Sequence, residues 1–422
     1  MRQAKDRDRR EFSTLMVPAL YGADHDVFTD LPGGQVEINK RFFVMKTNSY
    51  QKENGIIKSV AELNRTLLLS RGEVRKLEEI TKHHPMAVTP HYLNLIAPEN
   101  PHDPIRKMAV PSAAELSLQG SFDTSGEKEN TKLQGLQHKY AQTALILITN
   151  QCAMYCRHCF RKRLVGVAGE EIARDWSAII NYIEEHEEIN NVLLSGGDAL
   201  TVSTATLEAI LERLVEIPHL SYIRIGSRIP VVQPSRINDD DELIQMLRYH
   251  GRRKRIYLTT RFNHPLEISQ ESREAIQRLQ RAGLVVNNQA VLLKDVNEDP
   301  DIMAELMTSL TRIGVVPYYI FQCRPVRRVK DAFQISLPQA ADIIDQVRNR
   351  LDGLSKRFRF IMSHKTGKIE ILGRNGNQMF FKYHQAKEPA LAGRIFSKEV
   401  DLDEGWFNCQ DDDEDDLLPC QE

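Results

Sequence analysis

Long apolar runs are missing from this chain: none of its 422 residues lies in an uninterrupted stretch of about 18 apolar residues, the length a bilayer-crossing helix needs. An excess of positive charge is missing too. The formal net charge is -2, which gives no electrostatic case for a nucleic-acid partner. The opening residues, Met1 to Arg10, set their charges before no apolar core, unlike a secretory signal. Cysteine is scarce, with six residues spaced too unevenly for a disulfide framework. A reducing cytoplasm is the expected compartment. What is present, 41% hydrophobic and 27% charged residues, is the composition of an ordinary globular protein.

Short apolar runs recur from residue 143 onward, at 143–149, 191–194, 222–225, 255–258, 284–287 and 317–320. Each has the length and side-chain content of a buried strand. Helical patterns over 205–217, 240–249, 267–283 and 299–313 separate them. Strand-helix alternation predicts an α/β fold with a parallel sheet. About six strands are fewer than the eight of a closed TIM barrel. The expected architecture is therefore a partial (open) β/α TIM-type barrel with N-terminal helical and C-terminal accessory segments. Its boundaries are drawn at 1–140 for a helical and irregular accessory region, 141–350 for the barrel, and 351–422 for a β-rich region with an acidic tail. Residues 1–40 read as a lead, 58–82 as helix, the proline-rich 85–112 as a surface wrap, and 120–132 as a polar loop. Strands are expected at 358–362 and 368–372 about a Thr366-Gly367 turn, with a third at 378–383. The acidic run Asp411 to Asp416 reads as a solvated tail.

Three of the cysteines, Cys152, Cys156 and Cys159, fall within eight residues directly after the first barrel strand. This spacing points to a metal site. Thiolates are favoured ligands of iron–sulfur clusters. Three of them leave one iron of a four-iron cluster open to another ligand. The site falls at the C-terminal end of a strand, where barrel enzymes place their chemistry. Zinc competes, with His158 as a fourth ligand. Spacing alone leaves both open.

The wider context resembles the lysine 2,3-aminomutase family of the radical SAM superfamily. The resemblance is carried by Thr149-Asn150-Gln151-Cys152-Ala153-Met154-Tyr155-Cys156-Arg157-His158-Cys159 with Arg161-Lys162-Arg163, and by Leu194-Ser195-Gly196-Gly197-Asp198-Ala199-Leu200. Arg224-Ile225-Gly226-Ser227-Arg228, Phe262-Asn263-His264-Pro265, Asn288-Gln289 and Pro317-Tyr318-Tyr319 extend it. Val88-Thr89-Pro90-His91-Tyr92 and Asp103-Pro104-Ile105-Arg106-Lys107 fit the family's N-terminal region. It spans residues 55–350 and weakens beyond them.

The resemblance implies that Cys152, Cys156 and Cys159 hold a 4Fe-4S cluster whose open iron is chelated by S-adenosyl-L-methionine. Ser195, Gly196, Gly197 and Asp198, with Arg228 and Gln289, would form the pocket for that cofactor. Glycines permit close backbone approach, and an acid can hold an ammonium or a ribose hydroxyl. It also implies pyridoxal 5'-phosphate, gripped near His138, Lys139 and Tyr140. Lys139 keeps the family's cation there but not an arginine's bidentate fork. The Schiff-base lysine is expected at Lys368, which follows a glycine, or at Lys365, which precedes a threonine. The family's glycine run is absent. Each segment taken alone also fits a plainer reading: a Gly-Gly turn with an Asp cap, a polar loop, solvated lysines on a turn.

Arg161 matches the family arginine that holds the substrate carboxylate, for which a guanidinium fork is suited. The lysine enzyme holds its substrate ammonium with two acids, one after a Gln-Cys pair and one near position 363. Here Gln322-Cys323 is followed by Arg324, and Ser363 is no acid. A buried arginine facing an ammonium is unfavourable. The expected activity is thus that of an amino acid 2,3-aminomutase (an isomerase) acting on an acidic or neutral side chain, glutamate first. Arg324 would hold the distal carboxylate, aided by Arg327 or Arg328. Expected partners are a small amino acid and a one-electron reductant of the flavodoxin or ferredoxin type, with no nucleic acid and no membrane; a homo-oligomer stays open. Alternatives are a family enzyme acting on lysine, another amino acid or a protein lysine, one working without pyridoxal phosphate, and a zinc- or cluster-binding interaction protein.

Overall fold

The apolar runs of the central region become strands that lie side by side in chain order. A computed structural model describes residues 55–67, 69–167 and 169–406, all within one compact unit. The lead over 1–40, Cys409, Cys420 and the acidic run lie outside these residues. The strands are β1 (Thr131–Leu133), β2 (Leu136–Tyr140), β3 (Thr143–Thr149), β4 (Asn191–Gly196), β5 (Tyr222–Gly226) and β6 (Arg255–Thr260). They continue as β7 (Val285–Leu292), β8 (Val316–Gln322), β9 (Arg359–Ser363), β10 (Gly367–Asn375), β11 (Gln378–Ala386) and β12 (Ile395–Glu399). One sheet holds them in the order β1 to β12, with β1 and β12 as its edges.

Every neighbouring pair from β3 to β9 is parallel. This is the open α/β barrel the sequence pattern implies, with one refinement. Strand β9 is the first arm of the expected hairpin with β10 and also the last parallel strand, paired with β8. The sheet turns antiparallel at both ends, β1-β2-β3 and β9-β10-β11-β12.

A helix joins each parallel pair, as parallel strands require. Trp176–Glu185 and Leu337–Asn349, which the periodicity reading passed over, supply the first and last connections. The helices Thr204–Glu216, Asp241–Arg253, Gln270–Arg281 and Pro300–Arg312 begin at Ser203, Asp240, Ser269 and Asp299, whose side chains accept a backbone N–H of the first turn. Ile146, Leu194, Ile225, Leu258 and Val286 form one in-register row across five strands. All five are buried, each worth about 1.5–3 kcal/mol of burial. The alternate positions Thr143, Leu145, Leu193, Arg224, Gln289 and Val291 are only half-buried, because they border a hollow inside the barrel.

The region 58–82 is two helices, Val60–Leu67 and Arg71–His83, the second begun by a capping box of Ser70 and Glu73. The proline-rich wrap contains two short helices, Pro90–Leu93 and Pro104–Ala109, each with its proline in the first turn. The polar segment 120–132 is not wholly loop: it holds the helical turn Glu127–Asn130 and the start of β1.

Candidate active site

The three clustered cysteines lie on the loop after β3, and backbone contacts from two sides fix that loop. Gly197 N–H donates to Thr149 O (2.6 Å) and Asp198 N–H to Gln151 O (2.9 Å), tying it to the end of β4. Tyr155 N–H donates to Ala87 O and Arg157 N–H to Met108 O, both at 2.9 Å, tying it to the N-terminal wrap. The two glycines are dictated by this approach. Gly196 has φ 113°, and a Cβ there would sit 2.1 Å from Thr149 O. A Cβ on Gly197 would sit 2.2 Å from Gln151 O. Beneath the loop, the buried Glu115 carboxylate accepts from Arg157 (2.5 Å) and Lys162 (2.7 Å). His158 points to Asn263 (Nε2 to Nδ2, 3.3 Å), which gives the Phe262-Asn263-His264-Pro265 motif a structural task.

Cys152, Cys156 and Cys159 line one cavity of about 60 Å³ together with Gly196, Gly197 and Asp198. Burial, reinforced by the neighbouring cysteines, pushes the thiols of Cys152 and Cys159 up. Asp198 spends its carboxylate on the end of β5. It accepts from Ser227 Oγ (2.6 Å), Arg228 N–H (2.6 Å) and Leu200 N–H (3.0 Å). Burial raises its pKa, and these bonds oppose the rise. Arg228, positioned in this way, sends Nη1 to Cys156 Sγ at 2.6 Å.

A larger cavity of about 230 Å³ adjoins the first, sharing Cys156, Cys159, Phe160, Arg161, Ser195 and Arg228 as walls. Its charge is strongly one-sided. Lys139, Arg161, Arg224, Arg228, Arg261, Arg324 and Lys368 face it against one carboxylate, Glu127. Glu127 is occupied by Arg161 (2.8 Å) and Arg163 (2.7 Å). Arg161 also donates to Ser195 Oγ (3.0 Å) and Gly196 O (3.3 Å). Three guanidinium groups gather over the Phe160 ring: Arg324 at 4.5 Å, Arg161 at 4.7 Å and Arg261 at 5.4 Å. Arg324 donates to Ser363 Oγ (2.7 Å), while its Nη1 is buried with no hydrogen-bond partner. Burial lowers its pKa to about 10; Arg161 and Arg261 add to the fall and Glu127 opposes it.

Lys368, near the start of β10, reaches this cavity between the rings of Tyr140 (5.5 Å) and Tyr319 (5.3 Å) and donates to Gln385 Oε1 (2.8 Å). Burial lowers its pKa to about 7, helped by Arg224, Lys139 and Arg324. Lys139 donates to His364 O (2.6 Å) and Ser125 O (3.1 Å) and is likewise lowered to about 7, first by burial and then by Arg324 and Lys387.

Gln289 and Tyr140 line the cavity as well. Other sequence candidates lie elsewhere. His138 turns to Tyr182 OH (3.0 Å) and Ala141 O (3.1 Å), away from Lys139 and Tyr140, at an irregularity in the β2-β3 register. Lys365, Arg327 and Arg328 are not cavity walls; Arg327 donates to Gly120 O (3.4 Å) and Arg328 to Glu115 O (3.1 Å). Nothing in the sequence marked Glu127, Phe160 and Arg261 as cavity residues, and Arg224 stood out only within a motif and Ser363 only as the place of a missing acid.

This geometry can be set beside known proteins. Residues 146–307 match the radical SAM superfamily. A putative L-lysine 2,3-aminomutase of Aquifex aeolicus is 42% identical over 338 residues, 80% of this chain and 90% of that one. The L-lysine 2,3-aminomutase of Clostridium subterminale is 40% identical over 328 residues, covering 75% and 77%. The chain belongs to the lysine 2,3-aminomutase family of radical SAM enzymes. The family also includes a glutamate 2,3-aminomutase of Clostridioides difficile, 39% identical over 305 residues and covering 71% and 70%. Family membership implies a 4Fe-4S cluster and S-adenosylmethionine, with a small-molecule substrate and a reductant. The residues present fit the cluster. Three thiols face one small cavity that opens onto a larger one, leaving a side for a further ligand. His158, the candidate fourth ligand of a zinc site, is directed to Asn263. Among the described residues no helix is long and apolar enough to cross a membrane.

Proposed function

We propose that this family member is a pyridoxal-phosphate-dependent 2,3-aminomutase that moves the amino group of an acidic amino acid, glutamate first, from the α to the β carbon. The observation that carries the reading is the charge of the larger cavity, with five arginines, and two lysines whose pKa is lowered to about 7, against one carboxylate. An ammonium-tipped substrate would meet repulsion there, whereas a phosphate and two carboxylates would be held. The contact between Arg324 and Ser363 supports it further, since these two positions correspond to the paired acids of the lysine enzyme.

When bound, the cluster with S-adenosylmethionine supplies a carbon radical that can take a hydrogen atom, and pyridoxal phosphate supplies the conjugated carbonyl to which the migrating nitrogen attaches. The rest falls to the chain. Cys152, Cys156 and Cys159 are the cluster ligands in this reading. Ser195, Gly196, Gly197, Asp198, Arg228 and Gln289 shape the adjoining pocket for S-adenosylmethionine, the glycines and Asp198 by holding the cysteine loop and the end of β5 in place. Lys368 offers the amine: with a pKa lowered to about 7, a large share is neutral and nucleophilic at neutral pH. Lys139 supplies charge for the phosphate, Arg161 pairs with the α-carboxylate, and Arg324 pairs with the distal carboxylate through its unpartnered Nη1. A walled cavity keeps water from a reactive carbon and holds the target hydrogen in line. A flavodoxin- or ferredoxin-type reductant and a cytoplasmic setting accord with this chemistry.

The test is a substrate panel under strict anaerobiosis, with reconstituted cluster, S-adenosylmethionine, pyridoxal phosphate and reductant. Glutamate, lysine, arginine, aspartate and alanine are supplied in turn, and products are resolved by mass spectrometry after chiral derivatisation. β-Glutamate without β-lysine is the expected result. Turnover of lysine in preference to glutamate overturns the substrate assignment.

A further inference from the structure

Arg228 is held more completely than a ligand-binding arginine needs to be. Its Nε donates to Arg261 O (3.1 Å) and its Nη2 to Tyr92 OH (3.1 Å) and to the Glu267 carboxylate. Glu267 is fully engaged in turn, accepting from Tyr92 OH (2.6 Å), Asn263 N–H (2.5 Å) and His264 N–H (3.1 Å). The array is buried: Tyr92 and Glu267 are 0% exposed and Arg228 is 7% exposed. It joins the N-terminal wrap, the end of β5 and the loop after β6, and its remaining donor, Nη1, meets Cys156 Sγ at 2.6 Å.

We propose that Arg228 is a positioning residue for the iron–sulfur cluster: it donates a charge-assisted hydrogen bond to the Cys156 thiolate and thereby raises the cluster's reduction potential, while Glu267 sets how much of the cationic charge the cluster feels. The proposal rests on Cys156 being a cluster ligand. Hydrogen bonds to cluster sulfurs and nearby charge tune such potentials. Reduction adds one electron and one negative charge, so a cation against a ligand sulfur favours the reduced form. That electron comes from the external one-electron reductant, and no bond at Arg228 forms or breaks. Glu267 partly neutralises the guanidinium, so the two residues act in opposite senses. A purely structural role would move both variants the same way, or neither.

The experiment is an EPR-monitored redox titration of the full chain with reconstituted cluster, alongside iron and sulfide content, for Arg228→Gln, Arg228→Lys and Glu267→Gln. At a fixed potential, Arg228→Gln is expected to lower the ratio of reduced to oxidised cluster about tenfold, from the loss of the guanidinium's extra attraction for the added negative charge. Arg228→Lys should fall between it and the unaltered protein, and Glu267→Gln should raise the ratio. An unchanged ratio in Arg228→Gln at full iron content, or a shift of Arg228→Gln and Glu267→Gln in one direction, overturns the proposal. If Arg228→Gln assembles no cluster, the order of Arg228→Lys, unaltered protein and Glu267→Gln decides, and any order other than rising overturns it. Cys156→Ala separates the premise: full iron content there would sink the ligand assignment rather than the tuning argument.

Discussion

Replacing Arg324 by methionine should separate binding from stability. The guanidinium has one hydrogen bond, to Ser363, a ring contact with Phe160 at 4.5 Å, and no carboxylate partner among the described residues. Glu127 attracts it while Arg161 and Arg261 repel it, and its Nη1 is an unsatisfied buried donor. Methionine removes a hydrogen bond and a cation–π contact, each worth about 1 kcal/mol, together with the attraction to Glu127, but it also relieves the burial of a charge, the repulsion by Arg161 and Arg261, and the orphaned donor. Net stability should therefore change by less than about 1 kcal/mol, read as a nearly constant urea midpoint. Activity should not be spared. Hydrogen bonds to a charged group are worth about 1.5–3 kcal/mol, so kcat/KM for glutamate should fall roughly 10- to 150-fold. Arg324→Asp should depress glutamate turnover further, because two carboxylates would then face each other. Unchanged kcat/KM for glutamate in Arg324→Met would refute the reasoning. So would a stability loss above about 2 kcal/mol, which would make Arg324 a structural residue.

Lys368→Ala should abolish the phosphopyridoxyl adduct trapped by borohydride, and Lys365→Ala should leave it, as peptide mass spectrometry would read. Adduct formation should rise with pH through about 7, because the Lys368 amine loses its proton there rather than near the usual lysine value. Cys156→Ala should abolish reductive cleavage of S-adenosylmethionine; retained 5′-deoxyadenosine formation would contradict the cluster assignment. Gly197→Ala places a Cβ 2.2 Å from Gln151 O and should lower bound iron and cost about 1–3 kcal/mol, measured by iron assay and urea unfolding. Glu115→Gln leaves Arg157 and Lys162 buried with their shared carboxylate gone and should cost about 3–5 kcal/mol in the same unfolding assay.

The barrel was legible because its strands are buried on one face by apolar rows and its helices repeat at helical period. Strand β9 was read only as a hairpin arm, since Arg359–Ser363 shows what it is made of but not that β8 lies on its other side. Cys152, Cys156 and Cys159 were legible because their spacing is local. The surrounding charges were not. Arg228 meets Tyr92 across 136 positions and Cys156 across 72, and no periodicity reports such pairs. Glu127 was hidden in a segment read as a polar loop, yet it holds Arg161 34 positions away. His138 lies beside a register irregularity in β2 and bonds to Tyr182 and Ala141 rather than lining the cavity with Lys139 and Tyr140, a placement that sequence order does not show. Asp198 was legible as a cavity residue, but its bonds to backbone N–H groups and the Ser227 hydroxyl, the last 29 positions away, were not.

The most direct measurement is where the nitrogen goes. Glutamate carrying nitrogen-15 on its amino group and carbon-13 at C3 would be incubated anaerobically with the reconstituted protein and followed by carbon NMR. The account requires a one-bond carbon–nitrogen coupling to appear at C3, and to persist in the product when the labelled glutamate is diluted with unlabelled glutamate, as migration within a single molecule demands. 5′-Deoxyadenosine formed while the label stays uncoupled at C3 would contradict it.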